Sequence, residues 1–175
     1  MRRPDPSEYS PFYATYIDRV PERRIVDVLA EAPGALDELL APITPEGERY
    51  AYAHGKWTIR EVVGHVIDAE RLFAYRALHL ARCDPAELPG MDQEIWAAAS
   101  NAAERPLADL LAEFRALREA NTALFASFDE GIAGRRGVAS GVEFTVRALI
   151  HVIAGHEIHH RGVLRRLYLG PLATE

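Results

Sequence analysis

Four of the seven histidines in this 175-residue chain lie between His151 and His160, within the apolar, helix-favouring run from Ala148 to Gly162. An α-helix turns about 100° per residue, so side chains four apart stack on one side. His156 and His160 are related in this way, and Leu149, Val152, Ile153, Val163 and Leu167 fall within about 60° of His156 on the same wheel. The pattern predicts two imidazoles pointing inward, where a polar ring needs a hydrogen bond or a metal to offset its desolvation. His-x-x-x-His on a helix offers two nitrogens to one metal. The competing reading is a pair of core histidines bonded to carboxylates on a facing helix. A third candidate ligand, His65, lies at the edge of the stripe Val62, Val66, Ala69 and Phe73 of another predicted helix. Alone it reads as structural, but it supplies the nitrogen from a second helix that closes a three-histidine site. Three protein ligands leave a fourth position for water or substrate. Zinc is the default metal, and nickel, iron or cobalt suit the same nitrogens. A metal there lowers the pKa of bound water towards about 7, or converts a thiol to a thiolate.

The other histidines fit this site less well. His151 is about 140° from His156 on the wheel. His159 falls on the helix flank, beside the site or on the surface, while His54 lies in a loop and His79 far along its helix from His65. His156-Glu157-Ile158-His159-His160 also matches H-E-x-x-H, in which the glutamate is the general base of a metalloprotease. The chain lacks the sheet and the downstream third ligand of such proteases. Glu157 is therefore kept as the one weak catalytic candidate, with a solvated helix residue preferred.

The elements that must hold these residues are helical. Residues 1–20 carry three prolines and Tyr9, Tyr13 and Tyr16, and read as an extended arm that lays aromatic rings on the body. A first helix is expected from near Pro21, kinked or split at Pro33, which lacks an N–H and clashes one turn back. Thr58 and Glu61 form a capping-box pattern opening the second helix, which runs to about Arg82 and ends at Asp84-Pro85. A short helix with Trp96 spans Gln93 to Ala102. Leu107, Leu110, Leu111, Phe114, Leu117, Asn121, Leu124, Phe125 and Phe128 mark the third long helix. Gly131 to Gly141 is a glycine-rich connection with room for a brief hairpin. Thr145 caps the last helix, expected to reach Leu169 before Gly170-Pro171. The pattern is that of an all-α four-helix bundle with an extra short helix and an N-terminal arm, one domain over 1–175. Such bundles build metal sites from inward side chains on facing helices.

Composition narrows the function. Hydrophobic residues make up 49% and the formal net charge is −6, with no basic block longer than two residues, which argues against a nucleic-acid surface. A single cysteine, Cys83, excludes an internal disulfide and fits a reducing cytoplasm. No signal-peptide pattern follows Met1, and no run is long and apolar enough to span a membrane.

Two segments carry a family resemblance. Gly55-Lys56-Trp57-Thr58-Ile59-Arg60-Glu61-Val62-Val63-Gly64-His65 followed by Asp68-Ala69-Glu70-Arg71 resembles the second helix of DinB/YfiT-like proteins. His151 to Gly162 resembles their last helix, and the Tyr16–Pro21 and Leu88–Asp92 segments are similar to the family as well. The resemblance implies a four-helix bundle, often a homodimer, with a divalent metal on His65, His156 and His160. It implies relatives that are metal-dependent hydrolases or S-transferases using low-molecular-weight thiols such as bacillithiol or mycothiol. Val163 stands where the family often has Gln. The expected function is thus a divalent-metal enzyme, an S-transferase or hydrolase acting on a small molecule. The alternatives are a metal-binding stress-response bundle without turnover, or a scaffold whose histidines are satisfied by acidic neighbours. Arg76, three turns beyond His65 on the same side, is either a pocket residue together with Trp96 or an exposed cation.

Overall fold

The computed structural model describes residues 1–84 and 86–170. Local signals set most element ends. Thr58 accepts from the Glu61 N–H, and the Glu61 carboxylate accepts from the Thr58 N–H at 2.8 Å, so the predicted capping box opens the longest helix, α3 below. Thr145 Oγ1 accepts from Ala148 N at 3.2 Å and opens the last. In chain order the helices are α1 (Ala14–Ile17), α2 (Ile25–Leu40), α3 (Ile59–Ala81), α4 (Gln93–Ala99), α5 (Leu107–Ala126), α6 (Glu130–Ala133) and α7 (Val146–Val163). A π-helical turn, Leu164–Leu169, extends α7. The four long helices form the bundle: α3 packs on α5 and α7, and α2 packs on the same two. Their inward faces make two apolar clusters, one around Leu29, Phe73, Phe125 and Leu149, the other around Ile59, Leu110, Phe114 and Leu164. Pro85 and Pro171, expected to stop two of the helices, lie outside the described residues.

Two expectations for α2 are revised. It begins at Ile25, not near Pro21, because Arg3 donates to the Ile17 and Val20 carbonyls and draws residues 17–20 into a turn of their own. It also runs through Pro33 as one helix. A proline at position 33 leaves the Leu29 carbonyl without its helical donor. Arg118 of α5 donates to that carbonyl from Nη1 at 3.3 Å, so a tertiary partner satisfies the group that the proline orphans.

The glycine-rich connection does form a hairpin. Strands β1 (Arg136–Ala139) and β2 (Val142–Thr145) pair antiparallel. Ser140 and Gly141, at φ 57° and 71°, make the two-residue turn, the left-handed pair that matches strand twist. The arm is wound into short helical turns and lays its rings on the body: Tyr13 packs against Phe73 and Phe144. It docks on α7 at Gly155, where a Cβ would stand 2.1 Å from the Tyr16 carbonyl oxygen. Only a glycine admits that approach.

Candidate metal centre

His65 comes from the second turn of α3, and His156 and His160 from successive turns of α7, the helix against which α3 packs. The ring centroids are 5.0 Å apart for His65–His156, 4.9 Å for His65–His160 and 4.5 Å for His156–His160. One nitrogen from each lies within 4.8 Å of one from each of the others, and no carboxylate or thiol joins the group among the described residues. His65 Nε2 and His156 Nε2 face each other at 3.2 Å. His160 Nδ1 is buried and has no hydrogen-bond partner. The rings are also held from outside, His65 by Trp57 at 4.8 Å between centroids and His156 by Tyr16 at 5.2 Å.

Burial fixes the protonation state. Desolvation lowers the pKa of His65 to about 4 and that of His160 to about 3, and holds His156 well below the ordinary value. At neutral pH all three imidazoles are uncharged, with lone pairs available. Neutral nitrogens that converge, with one orphaned and two set face to face, are a poor hydrogen-bonded cluster and a good donor set for a divalent metal. The residues fit the ion expected from sequence.

A pH prediction follows for the metal-free protein. His151, buried and bonded through Nδ1 to the Arg147 carbonyl at 2.8 Å, is also lowered, to about 4. In the unfolded chain these histidines take up protons near pH 6.5, whereas in the fold they stay neutral to about pH 4. Between these limits the unfolded state binds more protons, so stability rises with pH. The melting temperature, read by circular dichroism, should be level above about pH 6.5 and fall as pH drops towards about 4.

The remaining candidates fall elsewhere. His79 Nε2 bonds the Ala86 carbonyl at 2.8 Å, His54 is exposed, and His159 sits beside the cluster with its ring 5.5 Å from Tyr16. Glu157 is not a solvated residue. It is 2% exposed, its carboxylate lies 3.2 Å from Arg161 Nε, and burial raises its pKa to about 6. Neither oxygen makes a hydrogen bond, and neither belongs to the histidine group. Leu167, expected inside, is 38% exposed, and Tyr168 is buried instead, donating to the Trp57 carbonyl at 2.7 Å. The π-helical turn spends more residues per turn than the 3.6 of an α-helix, so a wheel drawn through His156 loses phase beyond Leu164.

Two cavities reach the cluster. One, of about 190 Å³, exposes His65 and His156 and is walled by Phe12, Tyr13, Tyr16, Phe73, Arg76 and Ser140. The other, of about 220 Å³, exposes His160 and is walled by Tyr52, Lys56, Trp57, Glu94 and Tyr168. Gln93, at the start of α4, borders both. Trp96 borders neither, being on the solvent side of that helix, and the larger groove between α2 and α5 contains none of the histidines. Periodicity gave no role to Tyr16, Trp57, Gln93 or Ser140. The aromatic rings of the arm were the available sign, since an amphipathic arm must pack somewhere.

A sequence profile of the DinB superfamily matches residues 29–164. Among solved structures, YfiT from Bacillus subtilis, described as a probable metal-dependent hydrolase with an unusual four-helix bundle topology, superposes with a TM-score of 0.74. It is 20% identical, and the match covers 82% of this chain and 83% of that one. No curated protein sequence matches.

Proposed function

Since the chain belongs to the DinB superfamily, we propose that it is a metal-dependent enzyme acting on a small molecule, with His65, His156 and His160 as ligands. The reaction class is hydrolysis or thiol S-transfer. One observation carries the reading: three neutral imidazoles converge, no fourth donor joins them among the described residues, and cavities reach them from both sides. A closed structural site has four protein ligands, whereas a site with three keeps a position for a reactant. When bound, zinc or another divalent ion would lower the pKa of a coordinated water or thiol. The protein's own groups do the rest. Trp57 and Tyr16 hold two of the rings in place, and the docked arm walls the His65–His156 side from solvent. The paired cavities suit a nucleophile and an electrophile entering from different sides, which favours the S-transferase form. We place the protein in the cytoplasm, as a homodimer of single-domain chains. Among the described residues no helix is long and apolar enough to cross a membrane.

Cobalt-substituted protein tests the proposal. It should take up one equivalent, and its visible bands should shift when 2-mercaptoethanol is added. A spectrum indifferent to thiols, azide and carboxylates would mean a site saturated by protein groups, and the reading as an enzyme would give way to a metal-binding bundle without turnover.

A further inference from the structure

Arg76 is the one strongly basic group in the cavity that exposes His65 and His156, and it is 2% exposed. Its Nη2 donates to the Pro89 carbonyl and to Ser140 Oγ, each at 2.7 Å, and its guanidinium lies 5.3 Å from the Phe73 ring centre. These partners are all neutral. Its Nε is buried and makes no hydrogen bond. Among the described residues no carboxylate pairs with it, and the nearby Tyr13 phenol is neutral, its pKa raised by burial. The contrast with the other interior arginines is direct. Arg118 meets Glu70 in a two-pronged pair, and Arg147 meets Glu8 and Glu130. A buried cation with no counter-ion is unfavourable unless an anion arrives to pair with it.

We propose that this cavity takes a small organic carboxylate whose charged end pairs with Arg76 while its other end reaches the His65–His156 face of the cluster. The planar guanidinium matches the planar carboxylate, and among the described residues only its Nη2 has a hydrogen-bond partner. At about 190 Å³ the cavity is below the range of about 300–1,000 Å³ usual for drug-sized ligands, so the occupant is small. The Ser140–Gly141 turn sets the guanidinium in place: its left-handed backbone brings Ser140 Oγ to Nη2 at 2.7 Å. Arg76 is then a specificity determinant, selecting acids over neutral molecules of the same size. This proposal names the substrate class of the metal-dependent reaction above and rests on that reading for its second half.

Two probe pairs separate the two claims. In metal-free protein, propionate should bind by isothermal titration calorimetry at least tenfold tighter than propanamide. Arg76→Met should erase that preference, and Arg76→Lys should keep part of it. In cobalt-substituted protein, 3-mercaptopropionate should shift the visible bands at a concentration at least tenfold below that needed with 2-mercaptoethanol. Arg76→Met should bring the two thiols level while leaving 2-mercaptoethanol unchanged. Equal binding of propionate and propanamide by the wild type, or an acid preference that survives in Arg76→Met, overturns the proposal. Equal weakening of both thiols in Arg76→Met and in Arg76→Lys shows a purely structural arginine and also overturns it. If the carboxylate preference holds but no thiol perturbs cobalt, the anion site stands and the thiol reaction falls.

Discussion

One equivalent of zinc added to metal-free protein is expected to raise its melting temperature by about 8–16 °C. A ligand present at about 1,000 times its dissociation constant stabilises the native state by about 4 kcal/mol, and each kcal/mol moves the transition of a chain this size by about 2–4 °C. The effect should require all three imidazoles. His160→Ala removes one of three donors and should abolish most of the shift. In the metal-free state the same substitution should change the melting temperature little, because His160 Nδ1 has no partner to lose. A histidine held by an acidic neighbour would behave oppositely, losing about 1–3 kcal/mol with or without metal. Differential scanning fluorimetry with zinc, nickel, cobalt and iron, on protein made without a histidine tag, decides the matter. A wild type indifferent to all four ions, or a His160→Ala variant that responds as the wild type does, would refute the metal centre.

The second large effect is expected at the buried ion pair between α3 and α5. Arg118, buried in α5, donates to both oxygens of Glu70 in α3, from Nε at 2.8 and 3.0 Å and from Nη2 at 2.7 Å. Asn121 adds a bond to Glu70 at 3.0 Å, and the Leu29 carbonyl above Pro33 takes the remaining donor. Arg118→Met would strand a buried carboxylate, orphan a backbone carbonyl and remove a cation that favours ionised Glu157. Breaking one side of a buried pair costs about 3–5 kcal/mol, and urea unfolding should show a loss of that size. Adding Glu70→Leu to Arg118→Met should recover much of it, since an apolar replacement of both partners leaves no unpaired charge. Recovery should be incomplete, because Asn121 and Leu29 still lack partners. An Arg118→Met midpoint close to the wild type would show the pair to be dispensable.

The parts of this molecule governed by short-range rules were readable in its sequence. The Thr58 and Thr145 caps, the stripe of α5 and the stacking of His156 over His160 depend only on residues within a few positions of one another. The convergence of His65 on that pair was readable for a related reason: an inward histidine on each of two long helices has few places to go in a four-helix bundle. The features that local sequence does not encode depend on distant partners. The solvated reading of Glu157 is the preferred one on a helical wheel because the wheel assumes one wet face. α7 has none from Val146 to Glu157, every residue of which is buried. The near absence of charge across Ala148–Gly155 was the sign of a helix enclosed on all sides. Arg76 reads equally as a pocket residue or an exposed cation, because the groups that enclose it, the Pro89 carbonyl and the hairpin turn more than sixty residues later, lie outside its helix. Local rules predict a kink or a split at Pro33; α2 is not split there, and the donor to the carbonyl that the proline orphans sits on another helix.

The docking of the arm at Gly155 is made by main chain against main chain, with no side chain interposed. The rings of Tyr13 and Tyr16 add side-chain contacts to that seat, with Phe73 and Phe144 and with His156. With Phe12, those two rings form one flank of the cavity that contains Arg76. One segment thus carries both scaffold and selectivity: exposed Phe12 is the position where a substitution would retune what the chamber admits with least effect on the docking, while a single methyl group at residue 155 would unseat the segment whole.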